Sequence, residues 1–505
     1  MLRILVLVIA LFPLDAGTIQ GVVIEHASGR AVSRTVIRLE AVPQADGVAR
    51  VPISVRAGRS GQFLFPSIAP GIYILSANRQ GYFPAAYGQR LPIGHGTPIE
   101  VTANSSLFAE LRMRHKGAIT GRVLDENGIG TTGVPVVAYR AKLPLRPVAS
   151  GTSDDRGVYR IHGLSPGKYW IRSGGHILED GSGWSPTYGP QGRELRDARI
   201  HRVSVDADTA YADVTPEPGN LLRLGGSVTC DNMFEPASVS ISSETGRRSI
   251  SVTCGEKYGF EGLAMGNYEV FATLKDGRLA GFLELTLGRN DDSANILLLP
   301  PPTMEFEVRR SGSNAITNIN YKLLGRRQDM AETEVVQEIK TPRTALAPGH
   351  WEFRAQVPSG QYVESIAQPF GVSRRSAKTE RNPDWYEVII ESRGASRIRV
   401  VVSDRASQIS GKVMADGKPI VGAPVFLAPV GEAARRSLGG PYLVVLADMT
   451  GQFRFESLPP GDYRILCSFD VDELDEDLLD LSKAVVVHVE AGQTAAVDIP
   501  VWIAP

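Results

Sequence analysis

Residues 157–169 read GVYRIHGLSPGKY, and the same order recurs at 61–73, GQFLFPSIAPGIY, and at 451–463, GQFRFESLPPGDY. In each, a glycine starts a run in which apolar side chains largely alternate with others: Tyr159, Ile161 and Leu164; Phe63, Phe65 and Ile68; Phe453, Phe455 and Leu458. Period-two alternation marks a strand with one face in a core. Pro166 and Gly167, Pro70 and Gly71, and Pro460 and Gly461 follow, and then Tyr169, Tyr73 and Tyr463. Pro then Gly suits the two middle positions of a type II turn, so the segment reads as a β-hairpin-like corner whose tyrosine opens the return strand.

About forty residues before each corner lies an opening triad: Ile19, Gly21 and Val23; Ile119, Gly121 and Val123; Ile409, Gly411 and Val413. The three side chains share one strand face, with a central glycine that admits another backbone. Each unit closes with two strands around a polar turn, at 99–111, 203–214 and 487–501. Two worn copies keep the order. One has Leu224, Gly226, Val228, Tyr258, Phe260, Leu263, Gly266 and Tyr268, with Met265 at the turn proline, and closes at 283–299. The other has Phe306, Val308, Leu346, Pro348, Gly349, Trp351 and Phe353, lacks the opening glycine, and closes at 388–402. Internal repetition at this period predicts an all-β chain of about five Ig-like β-sandwiches in tandem, at 18–115, 116–218, 219–300, 301–405 and 406–505, as a rod or string.

Composition agrees. The 505 residues are 43% apolar and 22% charged, with 52 Gly and 33 Pro, an excess of turn formers suited to many short strands. A net charge of −1 gives no electrostatic reason to hold a polyanion, which disfavours a nucleic-acid partner. Arg3 precedes an apolar run at 4–14 and the small residues Ala16 and Gly17, the order of an export signal at 1–17, with a buried first strand as the alternative. No later apolar run is long enough to span a membrane, so no span is expected in the mature chain. The expected location is exported: periplasmic, cell-surface or secreted. Three cysteines are too few for a disulfide framework. Cys230 keeps strand parity with Val228, and Cys254 with Val252, so one bridge between them or two separate buried thiols are the readings; Cys467 looks unpaired.

The run from Gly121 through Asp154, Gly157, Tyr159, Pro166 and Gly167 to Tyr169, and its counterpart from Gly411 through Asp448 to Tyr463, resemble the carboxypeptidase regulatory-like domain. The resemblance implies a prealbumin-like sandwich, grouped with starch-binding-like folds and common on exported bacterial proteins, with a sugar-binding or structural role and no catalytic residues. Gly58 stands where the family has Asp before the turn.

Patterns that carry chemistry fail on context. His176 and Glu179 form H-x-x-E without a third ligand or an α/β frame. Gly128, Gly130 and Gly133 spell G-x-G-x-x-G, but residues 134–139 read as a strand where a dinucleotide site needs a helix. No nucleophile elbow, P-loop or zinc pattern occurs. Asp470, Asp472, Glu473, Asp475, Glu476, Asp477 and Asp480 lack the glycine of a calcium loop and read as a solvated loop or short helix. Neither an enzyme nor a cofactor or metal is expected.

The remaining candidates are aromatic. Tyr82, Phe83 and Tyr87 after the first corner match Trp184 and Tyr188 after the second, each set around a Pro and followed by Gly. Exposed, these rings would stack on sugars or a partner's apolar patch; turned inward, they would plug the sandwich ends. The expected function is a non-catalytic, carbohydrate-binding-like module string, with a scaffold that contacts other cell-envelope proteins as the alternative.

Overall fold

The computed structural model describes residues 16–43, 51–91, 94–141, 145, 147–177, 183–231, 234–243, 246–313, 320–328, 336–340, 342–368, 384–393 and 396–504. The apolar run at 4–14 lies outside them. The chain is all-β; among the described residues the helices are a single 3-10 turn, Leu195–Asp197, and two short α-helices, Glu432–Leu438 and Glu476–Leu481.

The strands form facing sheets around five separate cores. In the first sandwich, Gly17–Glu25 lies between Gln62–Ile68 and Ser106–Met113, while Val36–Ala41 lies between Ile53–Arg56 and Gly71–Asn78 in the opposite sheet. The second repeats this plan with Gly117–Arg122 and Pro135–Arg140 as the inner strands, and the third with Leu222–Thr229 and Pro236–Ser243. Thr303–Arg310 and Lys322–Arg327 serve the fourth, and Ser407–Ala415 and Pro424–Pro429 the fifth.

The alternation read from sequence decides which side chains enter these cores. Gln62–Ile68, Lys257–Leu263 and Gln452–Leu458 show one and the same sequence of exposed and buried positions, with Phe63 and Phe65, Tyr258 and Phe260, and Phe453 and Phe455 inward. The two rings of each pair meet edge to face at about 6 Å. Full burial of one such side chain stabilises by about 1.5–3 kcal/mol. The opening glycines admit the closing strand, since a Cβ on Gly21 would lie 2.0 Å from the Ala109 carbonyl oxygen and one on Gly411 1.7 Å from that of Val497.

The corner differs from the expected hairpin. Gln62–Ile68 and Gly71–Asn78 flank Pro70, yet they pair with Gly17–Glu25 and Val36–Ala41 respectively, so the corner carries the chain from one sheet to the other. Its glycine opens the next strand at φ 149° in Gly167 and Gly461, away from the roughly +80° of a type II turn. One side-chain bond fixes the geometry. The hydroxyls of Tyr73, Tyr169 and Tyr268 each donate to the carbonyl four residues back, Ala69, Ser165 and Ala264, at 2.8 Å, and Tyr463 does so to Pro459 at 2.6 Å. In the fourth sandwich the Trp351 indole N–H donates to Ala347 at 2.8 Å. The closing pair crosses sheets in the same way: Ile99–Val101 joins Gly71–Asn78, and Ser106–Met113 runs parallel to Gly17–Glu25.

The array is not laid out end to end as a rod. The His95 amide donates to the Phe469 carbonyl at 3.0 Å, Arg90 pairs with Asp470 at 3.3 Å, and the His95 ring meets Phe426 at 5.7 Å, so the first sandwich touches the fifth.

Candidate functional site

The two aromatic loops sit where consecutive sandwiches join. At the first junction, the Tyr82 ring lies 4.1 Å from that of His115, which bridges to it on the segment leading into the second sandwich. His115 in turn pairs with Glu25 and donates its amide to the Asp206 carboxylate at 2.6 Å, while Arg114 reaches the same aspartate at 3.3 Å. Burial first, and then the Glu25 charge, push the Tyr82 phenol up, and hydrogen bonds from Ser28 and then His115 pull the Glu25 carboxyl down. Phe83 is only 5% exposed and its amide bonds to the Arg114 carbonyl at 2.8 Å. Tyr87 is half-buried against the first core.

At the second junction, Trp184 is 3% exposed, belongs to the second core, and bridges to Pro218 on the linker to the third sandwich. Tyr188 is 4% exposed, with the Arg172 guanidinium 5.0 Å from its ring centre. Phe83, Trp184 and Tyr188 therefore present no open ring face to solvent, and Tyr82 and Tyr87 are half covered. The reason is local: each loop lies against the segment that leaves its sandwich, through the Phe83 amide on the Arg114 carbonyl in the first and the Ser185 amide on the Glu217 carbonyl in the second.

His176 lies on a two-residue strand, His176–Ile177, against Gly183–Trp184, with its ring 6.3 Å from the Trp184 ring; burial pulls its pKa down. Glu179 lies outside the described residues. Gly128 and Gly133 turn with positive φ between Gly117–Arg122 and the strand Pro135–Arg140, with no helix to aim amides at a phosphate. Among the described residues no group of three or more His, Cys, Asp or Glu is placed to hold a metal. Cys230 and Cys254 form a disulfide with Cα atoms 5.8 Å apart, and Cys467 is a buried free thiol pushed up to about 12 by burial.

The acidic stretch is a loop and short helix whose carboxylates from Glu473 onward are exposed, while Asp470 alone is buried. Asp470 is buried, pairs with Arg90, and accepts the Ala504 amide at 3.1 Å. Asp475 caps the helix Glu476–Leu481 by accepting the Leu478 amide at 2.8 Å, and Arg464 pairs with Glu476 and Asp480. That segment lays Val471, Leu474 and Leu479 on the outer face of Pro424–Pro429, where they form a second core with Phe426 and Leu466. Both faces of the strand are thereby covered, which accounts for its unbroken burial.

Sequence reasoning missed the remaining junctions. The Arg327 guanidinium lies 3.3 Å from the centre of the Phe271 ring, and His350 sits 3.8 Å from Glu269 and 3.7 Å from Glu284, joining the third and fourth sandwiches. Arg435 pairs with Asp384 at 2.9 Å, and Ser359 donates to Glu456 at 2.9 Å, joining the fourth and fifth. These partners stand far apart in the chain and share no motif, so no local signal could have found them.

No protein-family profile matches the chain, and no curated protein matches it. Among solved structures it is similar to the minor pilin GBS52 of Streptococcus agalactiae, at 10% identity over 41% of this chain and 97% of that one, with a TM-score of 0.25. It is likewise similar to a DUF3823 family protein from Bacteroides uniformis, at 13% identity over 38% and 98%, TM-score 0.17. The third is the major pilin subunit BcpA of Bacillus cereus, at 11% identity over 76% and 99%, TM-score 0.14. At these scores the likeness adds nothing to what the chain's own strands display.

Proposed function

We propose that this chain is an exported, non-catalytic scaffold of five carboxypeptidase regulatory-like sandwiches, with limits at 18–115, 116–218, 219–300, 301–405 and 406–505, that holds other cell-envelope proteins at fixed spacing. The observation that carries the reading is the set of side-chain contacts that join the first sandwich to the second, the third to the fourth, the fourth to the fifth, and the first to the fifth. Contacts of this kind oppose the relative motion that is the default between linked domains. The burial of Phe83, Trp184 and Tyr188 supports it over sugar stacking, because a buried ring offers no face to a sugar. Export is supported by the apolar run at 4–14 and by the Cys230–Cys254 disulfide, a bond that persists in oxidising compartments.

Two measurements test the proposal. Small-angle scattering of the purified chain should give a compact particle, and a profile of independently moving beads would refute the scaffold. Turnover of peptidase or glycosidase substrates that disappears on His176→Ala or Glu179→Ala would refute the absence of catalysis.

A further inference from the structure

Between the second and third sandwiches lies a cleft of about 500 Å³, within the range of small-molecule sites. Its floor is the outer face of a sheet. Val137 on Pro135–Arg140 stands in register with Ser150 on one side and Arg172 on the other, so the three form a row across the sheet. The third sandwich supplies the facing wall, with Ile241, Arg247, Arg248, the corner residue Leu263, and Tyr268.

The charge pattern of the lining is one-sided. Three arginines, Arg172, Arg247 and Arg248, border the cleft, and among the described residues no carboxylate does. Arg172 and Arg248 form no ion pair among the described residues, and both guanidinium charges act on the Tyr268 hydroxyl. The Arg172 Nε is buried with no hydrogen-bond partner. A buried charged donor without an acceptor is costly, and like charges gathered on one cleft repel, so an oxyanion answers both conditions at once. The guanidinium fork matches the two oxygens of a carboxylate or phosphate. Beside the arginines, Val137, Pro147, Pro186 and Leu263 offer apolar wall.

We propose that this cleft binds a small organic anion, with Arg172 and Arg248 gripping its carboxylate or phosphate and Val137, Pro147 and Leu263 covering its apolar body. The site is independent of the scaffold reading: a compact particle can lack a ligand, and a flexible one can hold it. Calorimetric titration of the full chain with benzoate, phenyl phosphate, inorganic phosphate and neutral benzyl alcohol tests it. Either aromatic anion should bind at or below about 1 mM, and benzyl alcohol should not. Tighter binding of benzoate assigns the carboxylate, and tighter binding of phenyl or inorganic phosphate assigns the phosphate.

Arg248→Gln changes an exposed residue and should weaken binding about tenfold. Arg172→Lys keeps the charge, loses the fork, and should weaken it by a similar factor. Ser150→Trp on the exposed rim should block the cleft while leaving the arginines untouched. Thermal melts of the variants separate lost binding from lost folding. Failure of both aromatic anions to bind, equal binding of benzyl alcohol, or wild-type affinity in all three folded variants would overturn the proposal.

Discussion

One hydrogen bond recurs at each corner, from a ring to the carbonyl four residues back, and it survives the exchange of tyrosine for Trp351 because an indole N–H donates as a phenol does. That equivalence explains why the fourth copy reads as worn yet folds alike. Tyr169→Phe leaves the ring in the core and deletes only the donor to Ser165, so it should cost about 1 kcal/mol in denaturant unfolding. Trp351→Phe also empties core volume and should cost more, about 2–3 kcal/mol. An unchanged stability in Tyr169→Phe would mean that the bond contributes nothing.

The turn before the corner strand shows how far single elements were legible. Asp154 accepts the amides of Arg156 and Val158, and Asp448 those of Thr450 and Gln452, at 2.7–3.0 Å. Gly58 keeps the same backbone bonds, its amide to the Gln62 carbonyl at 2.9 Å and its carbonyl to Gly61 at 3.1 Å, with no side chain to add. Asp448→Ala should cost about 1 kcal/mol, and Gly58→Asp should shift the melting of the first sandwich upward, since a Cβ there meets nothing nearer than 3.7 Å. Strand existence, inward faces and the glycine turn that starts the corner strand were readable because each depends on neighbours within a few residues, whereas the type II reading of the Pro-Gly corner was not borne out. Sheet membership was not: Pro70 and Gly71 fit a hairpin equally well, and only the competing partners Gly17–Glu25 and Val36–Ala41 send the two strands to opposite sheets. Nor did the sequence reveal that Phe83 and Trp184 turn inward, because their covering residues belong to the next linker.

At the scale of the molecule, contact between the first and fifth sandwiches runs through a titrating side chain. Burial lowers the His95 pKa from 6.5, against the opposing pull of Asp472, so the native contact favours the neutral ring. The unfolded or separated state binds the extra proton, so stability from this contact is present above about pH 6.5 and is lost as pH falls toward the lowered native value. The radius of gyration should rise on mild acidification, and His95→Gln should flatten that response; Arg90, Asp470 and Asp472 are the charged groups around it. The parallel pairing of opening and closing strands has a mechanical consequence. Tension applied to the two ends of a sandwich pulls its first and last strands in opposite directions along their shared axis, so the rungs between them are loaded together in shear rather than peeled one by one. Gly17–Glu25 meets Ser106–Met113 over eight continuous register pairs, from Thr18 with Ser106 to Glu25 with Met113, whereas Gly117–Arg122 meets Asp208–Thr209 over two, and the contact resumes only at a single bridge between Val123 and Val214. Single-molecule stretching should find the second sandwich yielding at low force and the first at high force, which makes the chain a graded series of shock absorbers.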